Sequence, residues 1–157
     1  GMEVVVIRPP LVYGPNAPGN FARLEAIVRR GVPLPLGGVN NLRSLVAIDN
    51  LVDFIQCCMV HPAAANQAFL VSDGHDLSTP ELIRRIGATL HHQARLLPVP
   101  TTLLRWSAAC VGKQAMLHQL TSTLQADIHK ARTLLSWIPP QMVDAALAKA
   151  LAPQHIP

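Results

Sequence analysis

The sequence predicts an α+β fold led by one strand of the fully buried type. Three observations carry that reading. Half of the 157 residues are hydrophobic and only 14% are charged, which suffices for a packed core and is too little charge for a disordered chain. A β-branched run, EVVVIR at Glu3–Arg8, opens the chain, and a continuous apolar strand of that kind normally lies inside a sheet with both faces covered. Downstream, apolar residues recur at helical spacing between short extended segments, with no linker long enough to mark a domain boundary.

The elements follow in order. Pro9 and Pro10 end the first strand, and LVYGPNAPGN, broken by its YGP and PG pairs, predicts a loop. Asn20 is the candidate N-cap of a helix to about Arg30, with Phe21, Leu24, Ile27 and Val28 on one face and Gly31 as the stop. PLPLGG and NLRSLVAI read as an extended pair around Gly37 and Gly38. Asp49 then caps a helix carrying Leu51, Val52, Phe54, Ile55 and Met59 that ends before Pro62.

QAFLVS, residues 67–72, is the next strand. Ser78 and Glu81 form a capping box with Pro80 in the first turn, opening a helix to about His91 with Leu82, Ile83, Ile86 and Leu90 on one face. ARLLPVP is extended and closes at Pro100. Three further helices are predicted at Thr102–Val111, Asp127–Leu135 and Met142–Leu151.

Composition excludes several functions. The net charge of +4 comes from scattered basic residues, and aromatics are only 4%, so no nucleic-acid face is indicated. The longest apolar stretches, such as Leu103–Val111, are interrupted by Arg105 and fall short of the roughly 20 residues that cross a bilayer. No membrane partner and no secretory leader are expected, and the location is read as cytoplasmic. Gly1 before Met2 resembles a residue left by tag removal, which puts the native start at Met2.

Cys57, Cys58 and Cys110 lack C-x-x-C spacing and read as plain buried thiols. The seven histidines include the adjacent His91 and His92 but no H-x-x-x-H pair, so no metal site is expected. His61, His75 and His155 sit beside turn residues or the terminus and read as solvated. No G-x-G-x-x-G, Walker or G-x-S-x-G sequence occurs.

Several motifs converge in order: R-P-P-L-V-Y-G-P from Arg8 to Pro15, G-N-F at Gly19–Phe21, and N-x-R-S-L-V-x-I-D-N-L-V-D from Asn41 to Asp53. F-L-V-S-D-G, S-T-P-E-L and D-x-x-K-A-R-x-L-L-x-W-x-P-P from Asp127 to Pro140 follow. Together they resemble the C-terminal, substrate-binding part of an extended short-chain dehydrogenase/reductase of the NAD-dependent nucleotide-sugar epimerase and dehydratase family. The resemblance covers nearly the whole chain. It implies that residues 1–16 are a leftover sixth Rossmann strand and its loop, and that residues 17–157 are a small α/β substrate-binding domain. The Rossmann half, with its NAD site and Y-x-x-x-K catalytic pair, is then outside this sequence. Tyr13 is the only tyrosine, and Ala17 stands four places on.

By the same resemblance Arg43 grips the substrate diphosphate, which suits a planar guanidinium; the alternative is a surface arginine on an edge strand. Asn20 resembles the loop asparagine that faces nucleotide or sugar, and a plain N-cap explains it equally well. Arg8 anchors the strand. Pro9 and Pro10 correspond to a turn against nicotinamide, a role that needs a Rossmann partner. Leu11 and Ser136 depart from the family's asparagine and glycine. Asp49, Asn50 and Trp137 read as cap and core residues. The chain alone is expected to bind no cofactor, to hold a nucleotide-diphospho-sugar weakly and to be inactive. The expectation is a truncated epimerase or 4-ketoreductase, or alternatively a standalone binding protein or subunit complementing a separate Rossmann domain. A strand without its sheet also suggests a homodimer through Val4, Val5, Val6 and Ile7.

Overall fold

The computed structural model describes residues 2–110, 112 and 114–152. Gly1, Val111 and His155, on which readings above fall, lie outside the described residues. The chain divides into two compact units, each assembled from separated segments: residues 1–17, 44–76 and 125–157 in one, 18–43 and 77–124 in the other. The first unit thus takes two later segments beyond a boundary at residue 16: 44–76, whose strands complete its parallel pairs, and 125–157, which adds helices.

In the first unit β1 (Val6–Arg8) pairs in parallel with β4 (Ala68–Leu70), Ile7 opposite Phe69. A second parallel pair joins β2 (Leu11–Tyr13) to β3 (Leu45–Ala47). The segment read as a loop after Pro10 therefore contains a strand, whose brevity hides it beside so many turn residues. NLRSLVAI likewise pairs with this strand and not with PLPLGG. The leading strand is shorter than the β-branched run, and one of its edges is already taken within the chain, with Val6 N–H donating to Gln67 O at 2.9 Å. A dimer through Val4, Val5, Val6 and Ile7 would have only the other edge to use.

Helix α2 (Ile48–Val60) follows β3 directly, with Ala47 at the N-cap position and Asp49 in the first turn, where its charge suits the helix dipole without capping. Asp49 instead pairs with Lys149 at 2.7 Å. Phe54 and Cys58 enter a core shared with Val46, Phe69, Val71, Leu135 and Trp137, against which Val5 and Ile7 pack. The Phe54 ring meets Phe69 and Trp137 edge to face, with centroids 5.7 and 4.7 Å away. After a short 3₁₀ turn (Pro62–Ala64), β4 and the two C-terminal helices complete the unit: α6 (His129–Leu135) and α7 (Val143–Leu151). Ser136 closes α6 in the left-handed region at φ 51°, the conformation its place in the motif requires.

The second unit opens with α1 (Asn20–Arg29), which buries Phe21, Leu24 and Val28. Gly19, at φ 90°, holds the N-cap position, so Asn20 is the first helical residue and not the cap. Gly31 ends the helix at φ 63°. Residues 34–37 pair with 95–97 through Leu34 N–H to Arg95 O (2.8 Å) and Gly37 N–H to Leu97 O (2.9 Å). A Cβ on Gly38 would lie 2.6 Å from Val99 O, so the adjacent glycines permit this close approach.

Helix α3 (Thr79–Thr89) begins as the capping motif requires, Ser78 Oγ accepting from Glu81 N–H at 3.2 Å. It stops two residues short of His91, which turns at φ 54°. Two helices follow, α4 (Thr101–Cys110) and α5 (Gln114–Thr121); the second is absent from the sequence reading, which expected a single helix here. Cys58 is buried and Cys57 half-buried, whereas Cys110 is exposed, a correction to the reading of all three as buried.

Candidate functional site

The residues singled out by sequence fall in both units. In the second, Arg43 is fixed by a backbone exchange with Leu77, each N–H donating to the other's carbonyl at 2.9 Å. Asn41, two residues earlier, is the anchor. Its buried amide accepts from Thr79 N–H at 2.9 Å and donates to Thr79 Oγ1, Leu120 O and Ser122 O at 3.1–3.2 Å. One side chain so ties the Arg43 segment to the start of α3 and the end of α5. The sequence reading quoted Asn41 within a motif but gave it no role, because a single asparagine carries no spacing signal.

The Arg43 side chain is half-buried, and its Nε is buried without a hydrogen-bond partner among the described residues. Burial draws its pKa below the ordinary arginine value. A guanidinium nonetheless stays charged at neutral pH, so a desolvated cation with an open donor favours an anion at this position. An arginine lying freely on the surface would be fully hydrated.

Asn20 lies on the same unit and donates from Nδ2 to Gln119 Oε1 at 3.3 Å, linking α1 to α5. An open cavity of about 690 Å³ borders α4 and α5, lined by Asn40, Arg105, Gln114, His118, Thr121 and neighbouring residues. Neither Asn20 nor Arg43 lines it.

In the first unit Pro9 and Pro10 form the turn between β1 and β2, Pro9 exposed and Pro10 half-buried. Lacking N–H groups, they can offer a cofactor an apolar face and no phosphate ligand. Arg8 is exposed at the end of β1. Next to this turn lies a buried polar network that sequence reasoning missed. Asp73 accepts from Tyr13 Oη at 2.7 Å, Asn50 Nδ2 at 2.7 Å and Ala47 N–H at 2.9 Å. Asn50 in turn clasps the backbone of Gln141, donating and accepting at 2.9 Å.

Asn50 and Trp137 are core residues as expected, and Trp137 Nε1 donates to Asp53 at 2.7 Å. His75 is exposed, while half-buried His61 accepts from Ala63 N–H at 3.2 Å and caps the 3₁₀ turn. Among the described residues no three His, Cys, Asp or Glu side chains group as metal ligands. No helix there is long and apolar enough to cross a membrane.

No family model matches the chain. Over 141 residues it is 50% identical to the UDP-glucose 4-epimerase of Vibrio cholerae, covering 89% of this chain and 43% of that enzyme. The UDP-glucose 4-epimerase of Thermotoga maritima, solved with UDP-glucose, superposes with a TM-score of 0.67 at 17% identity, over 96% of this chain and 45% of that one. The UDP-glucuronic acid 4-epimerase of Bacillus cereus, solved with UDP-glucuronic acid and NAD, gives 0.67 at 19% identity, over 94% and 43%. These two likenesses establish the fold. The chain spans less than half the length of each of these relatives.

Proposed function

We propose, from the premise that this chain is related by sequence to the NAD-dependent nucleotide-sugar epimerase and dehydratase family, that it is the substrate-side part of such an epimerase or 4-ketoreductase. In this reading it retains part of a nucleotide-sugar site, while the NAD site and the Tyr/Lys pair belong to the Rossmann half of the enzyme; the alternative is a standalone binding protein or subunit that complements a separate Rossmann domain. The observation that carries the proposal is Arg43: a desolvated guanidinium with an open Nε, held on a backbone ladder and locked by Asn41. Such a group suits the diphosphate of a nucleotide sugar, which offers bidentate acceptors and two charges. Asn20, on α1 and bonded to Gln119 of α5, is the accessory polar contact.

NAD, when bound by the complementing half, supplies hydride transfer. This chain's Pro9 and Pro10 would give that cofactor only an apolar surface, and no sequence here cradles its pyrophosphate. The cytoplasm is the compartment that accords with this substrate class. Self-pairing through Val4, Val5, Val6 and Ile7 competes with the NAD-binding half for the one open edge of β1.

Calorimetry with UDP-glucose tests the site. Weak binding is expected, and Arg43→Ala should remove about 1.5–3 kcal/mol of it. Equal affinity in both proteins would return Arg43 to a structural surface role. No binding by the wild type would assign the essential contacts to the other half.

A further inference from the structure

The basic residues that look scattered along the sequence are gathered by the fold into one unit. The second unit, residues 18–43 and 77–124, holds nine arginine and lysine residues against two glutamates, while the first holds four against seven acids. Both glutamates are already engaged one turn along their own helices, Glu25 with Arg29 at 2.9 Å and Glu81 with Arg85 at 2.7 Å. From Leu82 to Ala126 there is no acidic residue at all. Such a charge excess exceeds what a single diphosphate on Arg43 would balance, and it draws anionic partners to this unit.

Helix α4 lies within the acid-free stretch and is apolar on two opposite sides. Leu104 turns inward at 7% exposure, and the helix packs on α5. Leu103 and Trp106 are 56% and 71% exposed, and Ala109 and Cys110 are exposed with them. At about 100° per residue, these four fall within an arc of about 120° on the side away from Leu104. Single exposed apolar residues are ordinary on a protein surface. A contiguous arc that includes a tryptophan marks a place of contact. The arc itself carries no charge, and exposed Arg105 stands at its margin.

That pattern fits the interface of a bilayer, where an indole and aliphatic side chains enter the headgroup boundary while cations meet anionic headgroups. The helix is already formed on its unit, so adsorption carries no cost of folding it. A nucleic acid would call for cations on the arc itself. A second copy of the same unit would bring its own excess of positive charge against this one.

We propose that α4 docks the second unit on an anionic membrane surface through Leu103, Trp106 and Cys110, with the unit's surplus cations drawing it there. The expectation of no membrane partner rested on the lack of a spanning segment, and adsorption needs none. The proposal is independent of the nucleotide-sugar reading, whose test is the calorimetry above.

The full chain is floated with vesicles of phosphatidylglycerol and phosphatidylcholine, and in parallel with phosphatidylcholine alone. Binding to the anionic vesicles is expected, and it should be lost at about 1 M salt, where charges are screened within about 3 Å. Trp106 emission should shift to the blue on binding, and maleimide labelling of Cys110, read by peptide mass, should slow severalfold. The double variant Leu103→Glu with Trp106→Glu should bind roughly tenfold less or worse, since charge on the arc opposes entry into the headgroup boundary. Trp106→Phe should keep most of the binding and lose the emission shift. Circular dichroism melts verify that each variant folds.

Failure of the wild type to bind anionic vesicles overturns the proposal. Binding that the double variant retains, or that leaves Cys110 labelling unchanged, removes α4 from the contact and overturns it as well. Equal binding to phosphatidylcholine alone defeats the role of the cations. Displacement from vesicles by a single-stranded oligonucleotide that also protects Cys110 would assign the face to nucleic acid. A wild-type dimer by light scattering that the double variant dissolves would assign it to a second copy, and either result would overturn the membrane surface.

Discussion

Tyr13 Oη donates to Asp73 Oδ2 at 2.7 Å, joining the end of β2 to the loop after β4 across sixty residues of sequence. Both groups are buried, Tyr13 completely. The same carboxylate receives Ala47 N–H and Asn50, so β2, β3 and α2 converge on one side chain, and Asn50 carries the network on to the Gln141 backbone. Tyr13→Phe should cost about 1.5–3 kcal/mol, the range for a hydrogen bond to a charged group, read as a fall in the urea midpoint at unchanged slope. An unchanged midpoint would show that the phenol contributes only its ring.

Asn41 performs the corresponding task in the second unit. Asn41→Ala strands the buried Thr79 N–H and takes its donor from the part-buried Ser122 carbonyl, while Leu120 O keeps Thr79 Oγ1, at about 1–3 kcal/mol for each buried group left unpaired. Because α5 loses its tie to the Arg43 segment, hydrogen exchange should quicken at residues 114–121 before α2 responds. Uniform acceleration through both units would contradict a local anchor.

The sequence exposed what depends on local rules. Ser78 and Glu81 announce α3 because the cap is made within four residues, and the alternation of Leu82, Ile83 and Ile86 marks its buried face. Trp137 and Ser136 were readable through their motif. What escaped depends on distance or on context. The strand Leu11–Tyr13 is three residues among turn formers, and only its pairing with residues 45–47 makes it a strand. Asn20 looked like a cap because asparagine commonly is one, while Gly19 occupies that position with a φ few other residues adopt. Asp73 and Asn41 are single polar residues whose partners lie 23 to 81 positions away, a relationship no periodicity records. Arg43 was legible by resemblance, but its open Nε could be seen only once its neighbours were in place.

The three thiols should separate cleanly by reagent. Burial pushes the Cys58 thiol up to about 11, with Cys57 adding a smaller effect in the same direction; burial and then Asp53 raise Cys57. Since the thiolate is the nucleophile, exposed Cys110 should label first and Cys58 last at pH 8. The raised value also carries a stability consequence. The folded state holds Cys58 neutral while the unfolded chain ionises near the ordinary value of 9, so this contribution is complete below pH 9 and is lost between about pH 9 and 11. Cys58→Ser, lacking that titration, should flatten the alkaline limb of the stability curve. Early labelling of Cys58 in the native protein would contradict its burial.

Turnover should be absent from the purified chain, for a reason visible in the fold as well as in the sequence. Family chemistry by resemblance needs a tyrosinate poised beside a lysine and a nicotinamide. The one tyrosine here is completely buried and its hydroxyl donates a hydrogen bond to Asp73 at 2.7 Å. Tyr13 is thus engaged as a buried donor in the fold. UDP-glucose incubated with the chain and NAD or NADP should remain unchanged by chromatography at every pH where the fold persists. Epimerised product from chain freed of contaminating enzyme, retained in Tyr13→Phe, would reveal a different base and end the reading of this chain as the substrate-side part alone.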